Sequence, residues 1–375
     1  MSEPHPDPTE IRHMAHSRSI TFAALAATAI IALTGCAQSS GDAAEGSTKT
    51  TTAASAPLPA PFDGDPVSVA LVRQSGAGDY FEAWGAGAKS QAAAANIDLT
   101  ITDARNDNAK HASDLEQAIA SEPDAIIVDH GQTDTLQPLI TKAVDAGIPV
   151  VVYDLALTDA TGVITTSQSD ESMASGVLDQ LIADVGDGAK VGYVSATGFA
   201  ALDRRAVVWD SFVADHDLDV VFSTGKVSES TASDNIPLVD AALKQNPDVE
   251  AIFAPYDEIT KGAVQAVIQN NLQSKVKVYG IDISNADLEV INQADSPWVA
   301  TSATDPAAVG AAVVRSLALH LAGQLDQDDV QFPAIVITQD FLAENEVDNV
   351  DSLREAEPSL TLDTTVVADW LPATS

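Results

Sequence analysis

Aspartates stand directly behind several short apolar runs of this chain. Asp103, Asp129, Asp154 and Asp282 each close such a run, and Tyr256 begins an acidic segment behind another. A loop or helix-capping role explains any one of these aspartates. Together they indicate a cleft rich in carboxylates, which accept hydrogen bonds from the hydroxyl or ammonium groups of a small ligand.

Segments that resemble enzyme motifs are incomplete. The run Gly-Ala-Gly-Ala-Lys-Ser at 85–90 has alanine where a phosphate-binding loop needs glycine before the lysine, and 76–78 lacks the third glycine of a dinucleotide-binding turn. A Gly-x-Ser-x-Gly elbow is missing. The histidines behind the single cysteine lack metal-ligand spacing: His111, His130, His216 and His320. We expect a protein that is not an enzyme and uses no cofactor or metal.

The only cysteine, Cys36, lies directly behind an apolar segment. Residues 20–33 are apolar and follow Arg18, an arrangement typical of a secretory signal core and too short for a stable membrane-spanning helix. The sequence Leu-Thr-Gly-Cys at 33–36 resembles a bacterial lipobox, in which the cysteine is lipidated. A plain signal peptide and a buried cysteine are the alternatives.

These features predict an N-terminal leader followed by a tether. We assign 1–35 to a signal peptide and expect translation to begin at Met14, because residues 1–13 are proline-rich and acidic. Residues 36–65 are mostly Ser, Thr, Ala, Gly and Pro, so they predict a lipid-anchored flexible linker with a reach of about 30 Å. Membrane contact is expected through the lipid anchor only.

The composition limits the possible partners. The chain has 375 residues, 45% of them hydrophobic, and a formal net charge of −37. Such a charge repels phosphate backbones, which argues against nucleic acid as a partner. The length behind the linker is typical of two domains.

Behind the linker, short β-branched runs alternate with alanine-rich amphipathic segments. This alternation predicts an α/β protein with doubly wound parallel sheets covered by helices on both faces. The predicted strands are 67–72, 97–103, 125–129, 148–154, 190–195, 218–223, 249–254, 275–282 and 299–303. The predicted helices are 80–95, 114–121, 135–146, 172–185, 233–245, 259–270 and 307–322.

Several short motifs occur in an order that resembles a known family. They are Gly-Asp-Tyr-Phe at 78–81, Asp-Ala-Arg-Asn at 103–106, Gly-Ile-Pro-Val at 147–150, Phe-Ala-Pro-Tyr-Asp-Glu at 253–258 and Gly-Ile-Asp at 280–282. Together they resemble the ribose/galactose-type substrate-binding proteins of ABC importers, which have the type I periplasmic-binding fold. The resemblance extends over about 67–336.

The resemblance implies two similar lobes joined by a hinge of three crossovers, near Ser169, Thr304 and Ala334. Lobe one would comprise 66–169 plus 305–334. Lobe two would comprise 170–304 plus 335–375. In this family a sugar is held between the lobes as they close. The residues after Asp340 receive no role.

The same resemblance implies a set of ligand-binding residues. The aromatic pair is Tyr80 and Phe81, whose rings can stack on the apolar face of a sugar. Asp154, Arg205 and Asp282 would bind its hydroxyl groups. Alternatively, Phe81 is a core residue, and Arg205 is a surface residue paired with a neighbouring aspartate of its helix.

The chain also departs from the family pattern. Leu155 stands where the family has arginine, Asp129 and Tyr256 stand where it has asparagine, and Thr304 takes the place of an amide residue at the last crossover. We count Asp129, Tyr256 and Thr304 among the ligand-binding residues. The exchanges predict a cleft more negative than a ribose site, suited to a small neutral or cationic hydroxylated solute and unsuited to a sugar phosphate.

The function that follows is solute capture. We expect a lipid-anchored, extracytoplasmic binding protein that delivers a sugar or polyol to an ABC transporter permease. The alternative is a protein of the same fold that binds an amine-bearing sugar, a nucleoside or a signalling molecule and reports to a membrane sensor. A sugar-responsive repressor is excluded, since a leader and linker stand where its basic DNA-binding segment would be.

Overall fold

The structure, a computed structural model, describes residues 54–374. Cys36, the predicted signal peptide and most of the predicted linker lie outside these residues. Within them, no helix combines the length and the apolar character required to cross a bilayer. In chain order the elements are β1 (Val67–Arg73), α1 (Asp79–Ala94), β2 (Ile97–Asp103), α2 (Asn108–Ala120), β3 (Ala125–Asp129), α3 (Thr133–Asp145), β4 (Val150–Tyr153), β5 (Val163–Gln168), α4 (Asp170–Val185), β6 (Lys190–Val194), α5 (Ala200–Asp215), β7 (Asp219–Thr224), α6 (Thr231–Gln245), β8 (Ala251–Ala254), α7 (Asp257–Gln269), β9 (Lys277–Ile281), α8 (Asn285–Ile291), β10 (Trp298–Ala303), α9 (Pro306–Leu321), β11 (Asp329–Phe332), β12 (Ile335–Thr338), α10 (Gln339–Glu344), α11 (Val350–Ala356) and a 3₁₀ helix (Pro358–Thr361).

Lobe one is built on a six-stranded sheet in the order β11-β5-β4-β3-β1-β2. Its strand pairs are all parallel. Helices α1 and α9 cover one face, and α2 and α3 cover the other. Every residue of β3 is buried because both faces carry helices.

Helices α1 and α9 pack with almost no space between their backbones. A Cβ atom built on Gly310 of α9 would lie 2.1 Å from the carbonyl oxygen of Trp84 in α1. A Cβ atom on Gly87 of α1 would lie 1.9 Å from the carbonyl oxygen of Ala307. Only glycine permits this approach, which places the first turn of α1 firmly at the edge of the sheet.

Lobe two repeats the plan with the order β12-β10-β9-β8-β6-β7. Its strands are parallel apart from β12, which runs antiparallel to β10. Helices α4 and α5 pack on one face, and α6, α7 and α8 on the other. The two-lobe doubly wound α/β fold expected from the sequence is confirmed.

The chain crosses from one lobe to the other three times directly behind strands of the two sheets. It passes from β5 to α4 at Ser169, from β10 to α9 at Thr304 and Asp305, and from β11 to β12 between Phe332 and Ile335. Since each passage is only one or two residues long, the hinge is short and lies beside the ends of the strands that carry the candidate site.

The C-terminal residues divide between the lobes, which corrects the expectation that 335–375 belong to lobe two. Leu353 and Leu360 pack into lobe two, whereas Leu362, Trp370 and Leu371 are buried in lobe one. The chain therefore makes a fourth passage at about Thr361, behind the last helical turn. This segment lacks an apolar periodicity from which its return to lobe one could be predicted.

Buried Arg315 of α9 holds this tail. Its guanidinium donates hydrogen bonds to the carbonyl oxygens of Leu362 at 3.2 Å and Val366 at 3.2 Å, and to Gln91 Oε1 at 3.0 Å. Burial lowers the pKa of Arg315 to about 10. With the carbonyl oxygen of Thr365 at 3.1 Å, four acceptors compensate the desolvation of this guanidinium.

The linker expected over 36–65 ends earlier than predicted. Phe62 is fully buried in lobe one, and its ring stacks on Trp370 with centroids 5.3 Å apart. Ser55 donates a backbone hydrogen bond to the carbonyl oxygen of Asp369 at 2.8 Å. Ala56 and Leu58 pack against the same core, so these apolar side chains attach the segment to lobe one and its C-terminal tail.

Candidate functional site

A cavity lies between the lobes at the carboxyl ends of both sheets. It encloses about 590 Å³ of space free of atoms, open solvent at its mouth included. Residues predicted from the sequence that line it are Tyr80, Phe81, Arg205, Tyr256 and Asp282. Asp129, Asp154 and Thr304 do not line it and lie behind the lining residues.

The aromatic side chains come from both lobes. Tyr80 is buried, and its hydroxyl lies 2.6 Å from the hydroxyl of Tyr153. Phe81 is only partly buried and meets Tyr80 edge to face at 5.5 Å. It also meets Tyr256 of lobe two across the cavity at 6.2 Å. Phe81 is therefore a wall of the cavity, and the interpretation of Phe81 as a core residue alone is wrong.

Asp154 and Asp282 occupy equivalent places in the two lobes. Asp154 directly follows β4 and Asp282 directly follows β9, the third strand in each sheet order, and both adopt a left-handed backbone conformation, with φ of 48° and 79°. The backbone N–H of Asp154 donates to Thr166 O, and that of Asp282 donates to Ser302 O, both at 2.9 Å. Both side chains are buried, and the Asp282 carboxylate lines the cavity.

One oxygen of each of these carboxylates has no partner among the described residues. Asp154 Oδ1 accepts from Arg204, and Asp282 Oδ2 lies 3.5 Å from Arg205 Nη1, while Asp154 Oδ2 and Asp282 Oδ1 are buried and unpaired. Burial, and then the nearby Asp170 carboxylate, raises the pKa of Asp154 to about 6. Burial raises the pKa of Asp282 above its ordinary value as well.

Arg205 is a buried residue at the floor of the cavity. Its Nε donates to Asp170 Oδ1 at 2.7 Å and its Nη1 to the carbonyl oxygen of Pro255 at 2.7 Å. Asp203 instead accepts from the backbone N–H of Gly198. The surface alternative for Arg205, with a partner in its own helix, is therefore wrong. Although burial disfavours its charge, Asp170 and Asp282 raise the pKa of Arg205.

Asp129 is engaged behind the cavity wall. Arg73 Nε donates to its Oδ2 at 2.6 Å, and His130 Nδ1 lies 2.5 Å from its Oδ1. Burial favours the protonated form, but Arg73 and then His130 lower the pKa of Asp129 below its ordinary value. Burial alone would lower the pKa of His130. The Asp129 carboxylate raises it by more, so the pKa of His130 lies above its ordinary value. Asp129 thus orients His130, which lines the cavity.

Thr304 acts through another residue. Its hydroxyl donates to Gln168 Oε1 at 2.7 Å, and Gln168 lines the cavity beside Asp282. Thr304 lies in the second hinge passage, and Gln168 directly precedes the first passage at Ser169. This hydrogen bond therefore joins two of the crossovers. Gln168 was missed in the sequence because its strand, β5, is half polar and was not predicted.

Other lining residues were also missed. Phe199, Leu202 and Val227 line the cavity from lobe two and make it more apolar than the sequence predicted. They come from the start of α5 and the loop behind β7. These segments contain none of the motifs from which the site was predicted. Their positions follow from how the lobes meet.

The predicted excess of negative charge in the cleft is offset. Arg73 neutralises Asp129, and Arg204 contacts Asp154 at 2.5 Å and Asp170 at 2.6 Å. Neither arginine belonged to the predicted site. With Arg205, three guanidinium groups face four buried carboxylates, so arginines offset most of the negative charge of these aspartates.

Several contacts join the lobes around the cavity. Lys261 of α7 contacts Asp79 at the start of α1 at 2.5 Å, and Asn106 donates to the carbonyl oxygen of Ser228 at 3.4 Å. Arg204 and Asp154 form the third such contact. The lobes are therefore in a closed arrangement.

A family model described as a periplasmic binding protein domain matches residues 69–325. The ribose import binding protein of Bacillus subtilis is 27% identical over 261 residues, which cover 69% of this chain and 83% of that protein.

Two solved structures are similar over most of the chain. The 5-methylthioribose transporter solute-binding protein of Thermotoga lettingae, solved with 5-methylthioribose, is 37% identical with a TM-score of 0.80, covering 84% of this chain and 98% of its own. A sugar ABC transporter protein of Yersinia enterocolitica is 27% identical with a TM-score of 0.79, covering 82% and 94%.

Proposed function

The chain belongs to the periplasmic binding protein domain family, and from this premise we propose that it captures a neutral hydroxylated solute between its lobes and delivers it to an ABC transporter permease. The family implies an extracytoplasmic location. The ribose import binding protein and the 5-methylthioribose transporter protein are both named as solute-binding or import-binding proteins, which supports a role in binding and argues against an enzyme.

The observation that carries the proposal is the pair of uncommitted carboxylate oxygens. Asp154 Oδ2 and Asp282 Oδ1 are buried without a hydrogen-bond donor among the described residues. Leaving such an acceptor without a partner costs about 1–3 kcal/mol. A solute hydroxyl can donate to Asp282 Oδ1 on the cavity wall, and we propose that a second hydroxyl reaches Asp154 Oδ2 behind that wall, so that one solute contacts a carboxylate of each lobe.

The apolar walls favour a solute with an apolar part. Phe81, Tyr256 and Phe199 offer rings, while Leu202 and Val227 add aliphatic surface. We propose a sugar carrying an apolar substituent, such as a 5-alkylthio pentose, with its hydroxyls toward the aspartates. The likeness to the methylthioribose-binding protein supports this choice.

An amine-bearing solute is less well supported. Arg73, Arg204 and Arg205 already pair with the carboxylates around the cavity. An added ammonium group would lie close to these guanidinium groups, which repel it. We therefore propose a neutral guest in preference to a cationic one.

The same proposal includes lipid anchoring at Cys36. The segment before it has the length and flanking charge of a signal core, and the lipobox-like Leu-Thr-Gly-Cys precedes the linker. Replacement Cys36→Ser should release the protein from the membrane fraction of the producing bacterium. Unchanged membrane attachment of that variant would contradict the anchor.

Isothermal titration calorimetry tests the ligand class. The probes are 5-methylthioribose, D-ribose, myo-inositol and glucosamine, added to the purified protein. We expect 5-methylthioribose to bind at least tenfold more tightly than D-ribose and glucosamine not to bind. Tightest binding of glucosamine would overturn the neutral ligand, and failure of every sugar and polyol would overturn the function.

A further inference from the structure

Arg204 joins the two lobes at the edge of the cavity. It lies on α5 in lobe two, and its Nη2 reaches Asp154 Oδ1 of lobe one at 2.5 Å. Leu155, directly behind Asp154, is buried in an apolar cluster and brings no charge. The guanidinium that contacts Asp154 therefore comes from the opposite lobe, while His130 of its own lobe also stabilises the Asp154 charge.

Lobe two holds the Arg204 side chain in place by itself. Arg204 Nε donates to Asp170 Oδ2 at 2.7 Å, while Arg205 Nε donates to Asp170 Oδ1 at 2.7 Å. Asp170 stands at the start of α4 and thus belongs to the same lobe as both arginines. Since Asp170 fixes the guanidinium, its contact with Asp154 needs little additional ordering of the side chain when the lobes meet.

Resting on the proposed function, we propose that Arg204 is a positioning residue that couples closure of the lobes to ligand capture. The Arg204–Asp154 pair exists only when the lobes meet, so it stabilises the closed state and not the open one. It also occupies Oδ1 of Asp154, which leaves Oδ2 of the same carboxylate for a solute hydroxyl.

The position of Arg204 at the cavity edge fits this role. About 38% of its side chain is exposed, whereas the Asp154 side chain is fully buried. It lines a second interlobe groove with Gly131, Thr133 and Gly198, outside the main cavity. Arg204 therefore contacts the ligand-binding carboxylate from its solvent side and does not line the ligand cavity.

The test compares Arg204→Gln with Arg204→Lys and with a matched control. Lys244→Gln also removes one cation from lobe two, but Lys244 pairs with Asp240 inside α6. With 5-methylthioribose as probe, we expect Arg204→Gln to weaken binding by roughly 10- to 100-fold. Stopped-flow fluorescence should assign this loss to faster dissociation, with association changed less than threefold. Arg204→Lys should restore part of the affinity, and Lys244→Gln should have no effect.

A double-mutant cycle separates coupling from general damage. In an Asp154→Asn background, Arg204→Gln should change affinity by less than about threefold, because its partner charge is already gone. An equal loss in both backgrounds would overturn the proposal. So would a loss confined to the association rate. Far-UV circular dichroism and melting temperature establish that each variant is folded.

Small-angle X-ray scattering of the unliganded proteins gives a readout that needs no ligand. We expect Arg204→Gln to have a larger radius of gyration than the wild type and than Lys244→Gln. Equal radii would overturn the role of Arg204 in closure. If the wild type binds none of the probes, the proposed function fails, while this comparison still decides the role of Arg204.

Discussion

At the scale of single residues, Asp282 is a buried acid whose charge lowers the stability of the fold and strengthens ligand binding. Burial raises the pKa of Asp282, and Arg205 only partly offsets this at 3.5 Å. An ionised carboxylate in such a place favours a ligand that donates hydrogen bonds. It does not favour folding. Stability and binding should therefore respond in opposite ways to changes at this residue.

Replacement Asp282→Asn should separate the two effects. We expect binding of 5-methylthioribose to weaken at least 100-fold, because the charge-assisted hydrogen bond is lost. The melting temperature of the unliganded protein at pH 7.5 should stay equal or rise. The control is Asp240→Asn, which removes a partly buried carboxylate, outside the cavity lining, that pairs with Lys244 and accepts from Asn270. Retained affinity in Asp282→Asn would contradict the site.

The pH dependence of stability follows from the buried acids. The pKa of Asp154 is raised to about 6 by burial and Asp170, and that of Asp287 to about 6 by burial. A raised pKa means that the folded protein binds protons more readily than the unfolded chain. This contribution to stability is complete below about pH 4 and is lost as the pH rises through 6.

The unliganded protein should thus melt at a higher temperature at pH 5 than at pH 7.5. Lower pH also protonates Asp154, so affinity for 5-methylthioribose should fall over the same interval. Calorimetric melting and titration at both values measure these effects. In Asp154→Asn, both changes should be smaller. A melting temperature that rises steadily from pH 5 to 7.5 would contradict the argument.

At the scale of elements, contacts between helices hold the first turn of α1 at the cavity. Tyr80 and Phe81 lie in this turn, and α1 meets α9 through Gly87 and Gly310. The predicted helices at these positions are confirmed, yet their close approach was not predicted. Periodicity predicts which face of a helix is apolar, but it does not give the distance between two helix axes.

Replacement Gly310→Ala should force α1 and α9 apart. The added Cβ would lie 2.1 Å from the carbonyl oxygen of Trp84, so we expect a loss of about 2–3 kcal/mol in the free energy of unfolding. Urea denaturation measures this loss. Gly64→Ala is the control, since nothing lies within 4 Å of its Cβ position. Equal stability of both variants would contradict the close packing.

At the scale of the whole molecule, the cavity is formed by both lobes together. Tyr80 and Phe81 come from lobe one, and Arg205, Tyr256 and Asp282 from lobe two. A solute that contacts both sets favours the closed arrangement, as in hinge closure around a ligand. The fourth passage of the chain at Thr361 adds a further connection between the lobes.

Ligand binding should stabilise and compact the whole protein. At 100 times its dissociation constant, 5-methylthioribose should stabilise the fold by about 2.7 kcal/mol. X-ray scattering should show a smaller radius of gyration with the ligand than without it. A higher melting temperature with an unchanged radius would support binding but contradict closure by the ligand.

The sequence by itself determined the strands with continuous apolar runs and the helices between them. It also placed Asp154 and Asp282 at strand ends, because parallel strands bring their carboxyl ends to one edge. Strands β5, β11 and β12 were not predicted, since their burial is interrupted by polar positions. A local sequence pattern is enough to predict a strand where that strand is buried on both faces of its sheet.

Only the tertiary structure decided which charges and walls complete the site. Arg73 reaches the site from strand β1, Arg204 reaches Asp154 of lobe one from lobe two, and Gln168 lies beside the hinge. None of the three was predicted as a site residue. The return of the C-terminal tail to lobe one likewise depends on Arg315 and Phe62. Contacts between residues far apart in the chain depend on how the lobes are oriented, and no local sequence pattern contains that orientation.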